Sequence, residues 1–582
     1  MSDYKFSVNL GGMIDILSNH LYSTPKVFLR ELLQNGVDAV SMRKELQQGF
    51  SDPQVNVTVR DRESLTFTDN GSGLTEEEIH KFISVIGESS KRGAGGSFIG
   101  RFGIGLLSCF IVTDEIILRS RSVKTPDLVH EWHGFSDGSY RVSRIDCEMD
   151  IGTEIFIKCC PGHEELFTAG EVLKCLRYYG LAIPYPVFVG SGGGIKLMAN
   201  AELLENDGTR EGMLRAGKAV FGTDTDHLDC FRLESGKGYF SGIAYILPYT
   251  VSAAVKNRHR IYLKNMLLTE DGSSLLPEWA FFMQCYINTD ILRPTASRED
   301  FYKDEALSEA REELTECISD YLEQTALRHP ELLQKIVRLH GVALRSVAAE
   351  NDKLFDIFMP YFDFETSLGG LTGAQLRNYE GSLVYTPDID IFRQLRPVFA
   401  EQGELLINVG YVHEKALVEK LGALDSREVT ALDENMVEGM LNDPSDPSAF
   451  EKMLKAFSAA LEEEGCRVQL KSFSPPQLAT LYSISRDGMI KKDIEHSLSE
   501  SPELFTDMLK AFEEEYKEVS GAVLYLNTEN ELIKKLSCEE SEEKLRTYGL
   551  ILYVQALISG SFPVGARELN IMNDNLIDLL MY

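Results

Sequence analysis

The sequence lacks the features of several large protein classes. It has no dense block of lysine and arginine, and its 58 Lys and Arg face 90 Asp and Glu, for a formal charge of −32. Such a surface repels nucleic-acid phosphates and anionic membranes. No run of about 18 apolar residues predicts a membrane span, and the polar start lacks the apolar core of a signal peptide. We therefore expect a cytoplasmic protein that binds neither nucleic acid nor membrane.

Paired metal-binding cysteines are also missing. The ten cysteines are scattered, without a CxxC pair, and the neighbours Cys159 and Cys160 are badly placed for an ordinary disulfide with each other. Free thiols in a reducing compartment fit this pattern best. His130 and His133 form an HxxH motif, but two histidines on a strand-like segment rarely hold a metal, so we interpret them as structural.

Helix and strand signals alternate along most of the chain, which predicts a multidomain α+β/α/β protein. The glycine run at residues 190–194 marks a flexible point, and the first boundary is expected there or within the next ~20 residues. A long helical stretch at 305–349 is broken near Pro330. The predicted domains are residues 1–210 (an α/β sandwich), 211–435 (mixed α/β) and 436–582 (mostly helical, with a strand at 523–527).

Within the first domain, the pattern predicts the elements that carry the candidate site. Residues 23–25 supply a capping hydroxyl and a proline, as at a helix start. The predicted elements are a helix from there to about residue 48, strands at 55–59, 65–68, 116–119 and 153–158, and a short helix at 76–83.

The first chemical motif lies on the long helix. Glu31, Asn35 and Asp38 are spaced i, i+4 and i+7, so they share one face. A carboxylate there can orient or deprotonate water. An amide oxygen one turn away can ligate Mg²⁺, which prefers oxygen and bridges phosphates. The alternative is an amphipathic helix with a solvated polar edge.

The second motif is the turn Asp69-Asn-Gly-Ser-Gly73. The acid can accept a hydrogen bond from the amine of a base, and the glycines let the backbone approach a flat ring. An ordinary tight turn is the alternative. The third motif, Gly100-Arg-Phe-Gly-Ile-Gly105, precedes an apolar run at 106–112. If that run is a helix, its first amides face a phosphate, although the motif is neither a Rossmann fingerprint nor a Walker loop.

The order and spacing of the three motifs resemble the ATPase superfamily of gyrase, heat-shock protein 90, histidine kinases and MutL. Within it, Val27-Phe-Leu-Arg-Glu-Leu32 resembles heat-shock protein 90 and its bacterial form HtpG. Segments 275–279 and 292–299 are similar to that family's middle-domain motifs, and 523–535 to its dimerisation motif. The resemblance implies a Bergerat-type ATP-binding sandwich, an α/β middle domain and a mostly helical dimerisation domain. It also implies a homodimeric, ATP-hydrolysing chaperone that acts on client proteins.

The resemblance further implies roles for single residues. Glu31 would position the attacking water, and Arg298 would reach the γ-phosphate from the middle domain. Asn35 would hold Mg²⁺, and Asp69 would bind the adenine amine with a water near Thr153. The other residues implied to line the nucleotide are Asp38, Ala39, Gly73, Leu74, Gly87, Lys91, Gly100, Arg101, Phe102, Gly103, Ile104, Gly105 and Leu106.

The sequence departs from the family pattern in several places, among them residues 263–265, which differ from an arginine pair of the family's middle domain. The segment between Lys91 and Gly100 is shorter than the family's helical lid, and its glycines favour a flexible strip over a helix. Gly36 and Val37 replace a small and a hydroxyl residue in the catalytic helix. The end at Tyr582 lacks the eukaryotic acidic tail, so we expect a bacterial-type protein without tail-dependent helper chaperones.

Two other functions are compatible with the same predicted pocket. One is a DNA mismatch-repair or topoisomerase-like ATPase, against which the charge of −32 counts. The other is a nucleotide-gated holdase, in which the shortened lid leaves little hydrolysis. A histidine kinase is disfavoured, because no helix with a phospho-acceptor histidine precedes the pocket.

Overall fold

The computed structural model describes residues 24–83, 105–191, 196–204, 206–252, 257–295, 299–484, 488, 522–560 and 562–581. The chain divides into two compact units, Met1–Pro330 and Glu331–Tyr582. The three predicted domains, with boundaries at 210 and 435, stay a prediction. Within the described ranges, no helix is long and apolar enough to cross a lipid bilayer.

An eight-stranded sheet organises the beginning of the first unit. Its strands are β1 (Val55–Arg60), β2 (Ser64–Asp69), β3 (Glu115–Arg121), β4 (Val129–Phe135), β5 (Tyr140–Ile145), β6 (Gly152–Lys158), β7 (Val187–Ser191) and β8 (Lys196–Met198). They lie in the order β5-β4-β3-β6-β2-β1-β7-β8. Neighbours pair antiparallel except β1 and β7, which are parallel. Strands β2 and β6 therefore occupy the middle of the sheet.

Helices cover this sheet and complete its core. They are α1 (Val27–Leu46), α2 (Glu76–Glu78) with a π-helical continuation (Ile79–Ile83), α3 (Ala169–Gly180), α4 (Ala201–Leu204), and the 3-10 helices Gly105–Ile111 and Glu164–Phe167. Helix α1 buries Phe28, Leu32 and Leu33 in the same core as Phe67 of β2. Burial of such side chains contributes roughly 1.5–3 kcal/mol each, which is why this helix has a fixed position on the sheet.

Asn200 holds the chain where it enters β7, the strand between β1 and the edge strand β8. Its side chain is fully buried, and Nδ2 donates hydrogen bonds to the carbonyl oxygens of Ile183 (2.8 Å) and Tyr185 (2.9 Å). Its Oδ1 accepts a hydrogen bond from the backbone N–H of Val187 at 3.2 Å. One side chain thus satisfies three backbone groups at the entrance to β7.

A second sheet, two α-helices and one 3-10 helix make up the rest of the first unit as far as its residues are described. They are α5 (Arg210–Phe221), β9 (Asp229–Glu234), β10 (Ser241–Ile246), β11 (Arg260–Leu263), β12 (Met266–Thr269), the 3-10 helix Glu278–Ala280, β13 (Met283–Thr289) and α6 (Glu305–Arg328). The strand order is β12-β11-β13-β10-β9, with only β11 and β13 parallel.

The second unit contains two smaller sheets with helices around them. The helices are α7 (Pro330–Glu350), α8 (Asp352–Phe358), α9 (Gly373–Arg377), α10 (Ile389–Gln402), α11 (Glu414–Asp425), α12 (Glu434–Met440), α13 (Glu451–Leu461), α14 (Glu531–Leu536), α15 (Glu542–Ser559), α16 (Ala566–Met581), and the 3-10 helices Met359–Tyr361 and Pro447–Phe450. The strands are β14 (Asp363–Thr366), β15 (Gly369–Thr372), β16 (Leu383–Thr386), β17 (Leu406–Asn408), β18 (Val429–Ala431), β19 (Arg467–Lys471), β20 (Thr480–Ser483) and β21 (Val523–Asn527). The sheets have the orders β15-β14-β17-β16-β18 and β19-β21-β20.

The structure agrees with most of the predicted elements and corrects some details. The helix break falls at His329, between α6 and α7, and all ten cysteines are free. The long helix ends at Leu46 rather than near residue 48, and its N-cap is Lys26, without a side-chain cap. Gly190 and Ser191 belong to β7, so the glycine run begins inside the sheet. The apolar run after Gly105 forms a 3-10 helix and not an α-helix.

Candidate functional site

Glu31 is a buried acid in the middle of helix α1. Its side chain is 4% exposed, so this side of the helix is not the solvated edge that the alternative interpretation required. Arg30 lies beside it, with Nη2 3.1 Å and Nε 3.3 Å from Glu31 Oε1. The guanidinium of Arg30 also lies over the ring of Tyr179, 5.8 Å from its centroid. An ion pair and an aromatic ring therefore fix the position of the carboxylate.

The other oxygen of Glu31 lies against the start of the 3-10 helix. A β-carbon on Gly105 would stand 2.5 Å from Glu31 Oε2, which is closer than real atoms approach. Ser108 continues this turn, because its Oγ donates a hydrogen bond to the Gly105 carbonyl at 2.6 Å. Cys109 is buried behind Glu31, and burial raises the pKa of its thiol, as does the Glu31 charge. Cys109 is therefore a neutral packing residue rather than a nucleophile.

Gly36 sets the distance between helix α1 and the sheet. A β-carbon there would lie 2.8 Å from Cε1 and 2.9 Å from Cζ of Phe67, and 3.4 Å from Cβ of Asp69. The helix thus passes so close to β2 that only glycine fits. Glycine costs about 1 kcal/mol of helix propensity relative to alanine, and this packing explains why it is present.

The remaining polar residues of the helix motif lie further along the same face. Asn35 is half-buried and Asp38 is 2% exposed. Tyr185 closes this end of the motif, because its hydroxyl donates to the Val37 carbonyl at 3.0 Å and forms a 2.7 Å hydrogen bond with Ser41. Burial raises the pKa of Tyr185 to about 12. The helix therefore presents two buried carboxylates and one carboxamide on a single face.

Asp69 ends strand β2, directly opposite Thr153 on β6. The Asp69 side chain is 5% exposed and that of Thr153 is 6% exposed. The Asp69 Oδ1 accepts a hydrogen bond from the Gly71 N–H at 2.8 Å. This bond closes an Asx turn and aims the carboxylate. The sheet thus brings together an acid and a hydroxyl that are far apart in the sequence.

Ser120 joins this pair to the following turn and was not identified from the sequence. Its Oγ donates to the Gly152 carbonyl at 3.1 Å, lies 3.1 Å from Thr153 Oγ1, and accepts from the Leu74 N–H at 2.8 Å. It is fully buried on β3. A serine on the inward face of a strand, in line with the buried Ile116 and Leu118, was the available signal. Arg30 was also missed, although it is adjacent to Glu31.

Gly73 turns the chain after the Asp69 motif. Its φ is +61°, and a β-carbon would clash with the Arg121 carbonyl oxygen. Both facts require glycine. Ala39 contacts the same turn, since its carbonyl accepts a hydrogen bond from the Ser72 N–H at 3.0 Å. Helix α1, the turn and strand β3 are therefore held together at this point.

The structure describes only some of the predicted site residues. Glu31, Asn35, Asp38, Ala39, Asp69, Gly73, Leu74, Gly105, Leu106 and Thr153 are placed by the structure. The others lie outside the described residues: Gly87, Lys91, Gly100, Arg101, Phe102, Gly103, Ile104 and Arg298. Their roles remain predictions.

His133 of the HxxH motif lies between two carboxylates. His133 on β4 lies with Nδ1 2.8 Å from Glu115 Oε1 and with Nε2 3.0 Å from Glu131 Oε1. The Glu115 hydrogen bond, followed by that of Glu131, raises the pKa of His133. His130 is 3% exposed. No group of three or more potential metal ligands occurs in the part of the chain that the structure describes.

Comparison with known families matches residues 22–138 to the profile described as histidine kinase-, DNA gyrase B- and HSP90-like ATPase. This range contains Glu31, Asn35 and Asp69. Curated relatives match a longer part of the chain. Each of those reported next is named chaperone protein HtpG.

The HtpG protein of Chlorobium phaeobacteroides is 24% identical over 372 residues, or 59% of each chain. That of Chlorobaculum tepidum is 24% identical over 400 residues, or 63% of each chain. That of a Wolbachia species is 25% identical over 390 residues, covering 60% of this chain and 59% of the relative. The chain thus spans about three fifths of the length of the curated relatives that it matches.

Proposed function

Because the chain belongs to the heat-shock protein 90 and HtpG-like family, we propose that it is an ATP-dependent molecular chaperone. It binds and hydrolyses ATP in the first unit, and the hydrolysis drives a dimeric clamp that acts on client proteins. The observation that carries this proposal is the buried carboxylate of Glu31, fixed by Arg30 and facing Gly105. It lies on the same helix face as Asn35.

Glu31 acts as the residue that positions and polarises the attacking water. A carboxylate performs this role only when it is held within hydrogen-bond reach of the water. The Arg30 ion pair and the close packing at Gly105 support such positioning, since they restrict the carboxylate from two sides. Positioning of this kind can supply a large share of the rate enhancement in phosphoryl transfer.

The residues present fit Mg²⁺ and a purine base. Asn35 offers a carboxamide oxygen one helical turn from Glu31, and Mg²⁺ prefers such hard oxygen ligands. The ion, when bound, neutralises phosphate charge. Asp69 holds a buried carboxylate that accepts hydrogen bonds, which suits an exocyclic amine. In this proposal Asp69 accepts a hydrogen bond from the adenine amine, and a water held near Thr153 assists it.

Arg298 completes the site in this proposal. A cation from the middle region stabilises the charge that develops on the phosphates, and it couples hydrolysis to closure. The support is the resemblance of segment 292–299 to the family's middle-domain motif. An Arg298→Ala variant should therefore bind ATP normally and hydrolyse it slowly.

A second copy of the chain is the proposed partner of helix α16. This helix packs Ile571 and Met572 against the core of its unit, while Ile577, Leu580 and Met581 are exposed. Leu580 is 84% exposed, which is costly for a leucine in water. A helix with apolar side chains on two faces is typical of an interface, and the resemblance at 523–535 supports dimerisation.

The dimer is tested by sedimentation of the full chain. Leu580→Asp should shift the population towards monomer by placing a charge in the interface. Leu327→Asp is the matched control, because Leu327 is 77% exposed at the end of α6 and outside the proposed interface. A monomeric wild-type chain at micromolar concentration would contradict the dimer.

The hydrolytic assignment is tested with Glu31→Ala. The variant should bind ATP but turn it over about a hundredfold more slowly, because general-base catalysis typically contributes 10²–10⁴-fold. Glu45→Ala is the control, since Glu45 is exposed on the same helix. Unchanged turnover in Glu31→Ala would remove the assignment. ATPase activity that rises with added DNA would favour the repair-type alternative, and client protection without hydrolysis would favour the holdase.

A further inference from the structure

A cavity apart from the Glu31 site lies in the first unit, between the ends of helices α3 and α5 and strand β11. Its volume is about 650 Å³, which is within the range of ordinary small-molecule sites. None of the residues assigned to ATP lines it. The residues that matter for its chemistry are Lys174, Arg177, Tyr178, Lys218, Arg260 and Tyr262.

The lining carries more cations than carboxylates, although Lys174, Lys218 and Arg260 each have a carboxylate partner outside it. Four of these residues are cations, and Asp224 is the one carboxylate in the described lining. In a chain with a formal charge of −32, such a cluster attracts anions. Lys218 is paired with Asp226 at 2.7 Å, in an ion pair that is partly exposed to solvent. Exposed pairs of this kind contribute little to stability, so Lys218 can turn to a bound anion.

Tyr262 belongs to the lining, and its hydroxyl is a buried polar group. The side chain is fully buried, and its oxygen has no hydrogen-bond partner among the described residues. A buried hydroxyl that is left unpaired destabilises the folded state. Burial raises the pKa of Tyr262, while the charge of Arg260 lowers it. The phenol is therefore a neutral donor near a cation, and an anionic oxygen would be its natural acceptor.

The cavity also has a flat and apolar side. The guanidinium of Arg260 lies over the ring of Tyr178, 4.9 Å from its centroid, and Glu270 holds it there through a 2.6 Å ion pair. Val220 and Phe221 add apolar surface to the lining. A guanidinium stacked on a tyrosine is a platform for a planar group.

Helix geometry explains part of this arrangement. Arg177 and Lys218 lie in the last turns of α3 and α5, where cations complement the partial negative charge of the helix end. That role accounts for two of the cations. It does not account for the buried phenol of Tyr262, which gains nothing from either helix.

We propose that this cavity binds a small organic anion that carries a phosphate or carboxylate group and a flat apolar part. Arg177 and Lys218 hold the anionic group, Tyr262 donates a hydrogen bond to it, and the stacked pair of Arg260 and Tyr178 contacts the flat part. The site is separate from the proposed ATP pocket and does not depend on it.

The test uses the full chain and para-fluorophenyl phosphate as the probe, followed by fluorine NMR of the probe. Saturable binding at millimolar concentration or below is expected, and inorganic phosphate should bind at least several-fold more weakly because it lacks the ring. Absence of saturable binding would overturn the proposal. Equal affinity for inorganic phosphate would overturn the assignment to an organic anion.

Tyr262→Phe separates ligand binding from folding. It removes an unpaired hydroxyl, so the thermal stability should stay the same or rise, while probe affinity should fall about tenfold with the loss of a hydrogen bond to a charged group. Tyr286→Phe is the matched control: its ring lies 5.2 Å from that of Tyr262, but it is outside the lining. Equal affinities in the two variants would contradict the role of Tyr262.

A second matched pair tests the charge. Lys218→Gln should weaken probe binding several-fold and reduce its dependence on salt. Lys237→Gln should leave it unchanged, because Lys237 is paired with Glu309 at a similar distance of 2.6 Å but lies outside the cavity. Asp69→Asn should also keep the probe affinity. Loss of probe binding in Asp69→Asn would show that the probe binds in the nucleotide pocket, and it would overturn the proposal.

Discussion

The carboxylate of Glu31 occupies the space that a side chain at Gly105 would need, since a β-carbon there would stand 2.5 Å from Glu31 Oε2. The carboxylate of Glu31 therefore packs so tightly against the start of the 3-10 helix that a side chain at residue 105 would displace it. The atom that would clash is the far end of a flexible side chain, so the carboxylate can move aside without disturbing the fold. A substitution at this position separates the geometry of the site from the stability of the domain.

Gly105→Ala should accordingly lower ATP turnover while leaving thermal stability nearly unchanged. A displacement of about 1 Å in a catalytic group can cost roughly a hundredfold in rate, so we expect a tenfold to hundredfold loss. The measurement is steady-state ATPase activity beside calorimetric melting. Normal turnover together with a stable fold would show that Glu31 does not need its present position.

Gly36→Ala should have the opposite effect and lower thermal stability rather than ATP turnover. Alanine gains about 1 kcal/mol of helix propensity, but its methyl group would press on the Phe67 ring. Overpacking costs about 1–3 kcal/mol, because a buried aromatic ring has little room to retreat. We expect a net loss of about 1 kcal/mol, seen as a lower midpoint of thermal unfolding. A more stable variant would mean that Phe67 can shift freely.

Asp69→Asn should weaken nucleotide binding without unfolding the turn. The asparagine oxygen can still accept the Gly71 N–H, which now lies 2.8 Å from Asp69 Oδ1. The hydrogen bond from adenine to a charged acceptor is lost, at about 1.5–3 kcal/mol, which corresponds to roughly tenfold to hundredfold in Kd. Calorimetric titration with ADP measures the change.

Asp137→Asn is the control for this prediction. Asp137 also accepts a hydrogen bond from the N–H two residues ahead, at 2.8 Å from Ser139. It therefore undergoes the same chemical change in the same kind of turn, but away from the pocket. Equal affinities of the two variants for ADP would contradict the adenine role of Asp69.

Glu414 should make the second unit less stable as the pH rises. Burial is the main cause that raises the pKa of Glu414 to about 7; Arg345, 3.5 Å away, opposes the shift, and the charge of Glu365 adds to it. The folded protein thus binds this proton more tightly than the unfolded chain, so the free energy of unfolding falls between about pH 4.5 and pH 7. The full shift corresponds to about 3 kcal/mol at most.

Hydrogen exchange of residues 383–425 at several pH values tests this prediction. Protection in the wild type should fall relative to Glu414→Gln as the pH rises, because glutamine keeps the shape and cannot ionise. Glu401→Gln, at an exposed position, should follow the wild type. Parallel profiles for wild type and Glu414→Gln would exclude Glu414 as the titrating group.

The sequence predicted elements better than it predicted contacts. The alternating apolar residues around Val57 and Ile155 were enough to place strands β1 and β6. The register that sets Asp69 opposite Thr153 joins strands far apart in the chain, and no local pattern encodes it. Only the resemblance suggested that the two residues meet.

The sequence also did not reveal why residue 36 is a glycine. From the sequence, it is a weak point in a helix, because propensity is a local quantity. The approach of α1 to Phe67 is a tertiary quantity and becomes visible only once the sheet is assembled. Arg30 and Ser120 were missed for a related reason, since their importance lies in the partners that folding brings to them.

The three hydrogen bonds of Asn200 determine how short a working fragment of this protein can be. The family match ends at residue 138, yet β7 completes the sheet through its pairing with β1, and Asn200 holds the entrance to β7. A fragment that stops between β7 and this residue would leave three backbone groups unpaired, and one that stops before β7 would also leave an open edge beside β1. The smallest independently folding nucleotide domain should therefore extend past Asn200.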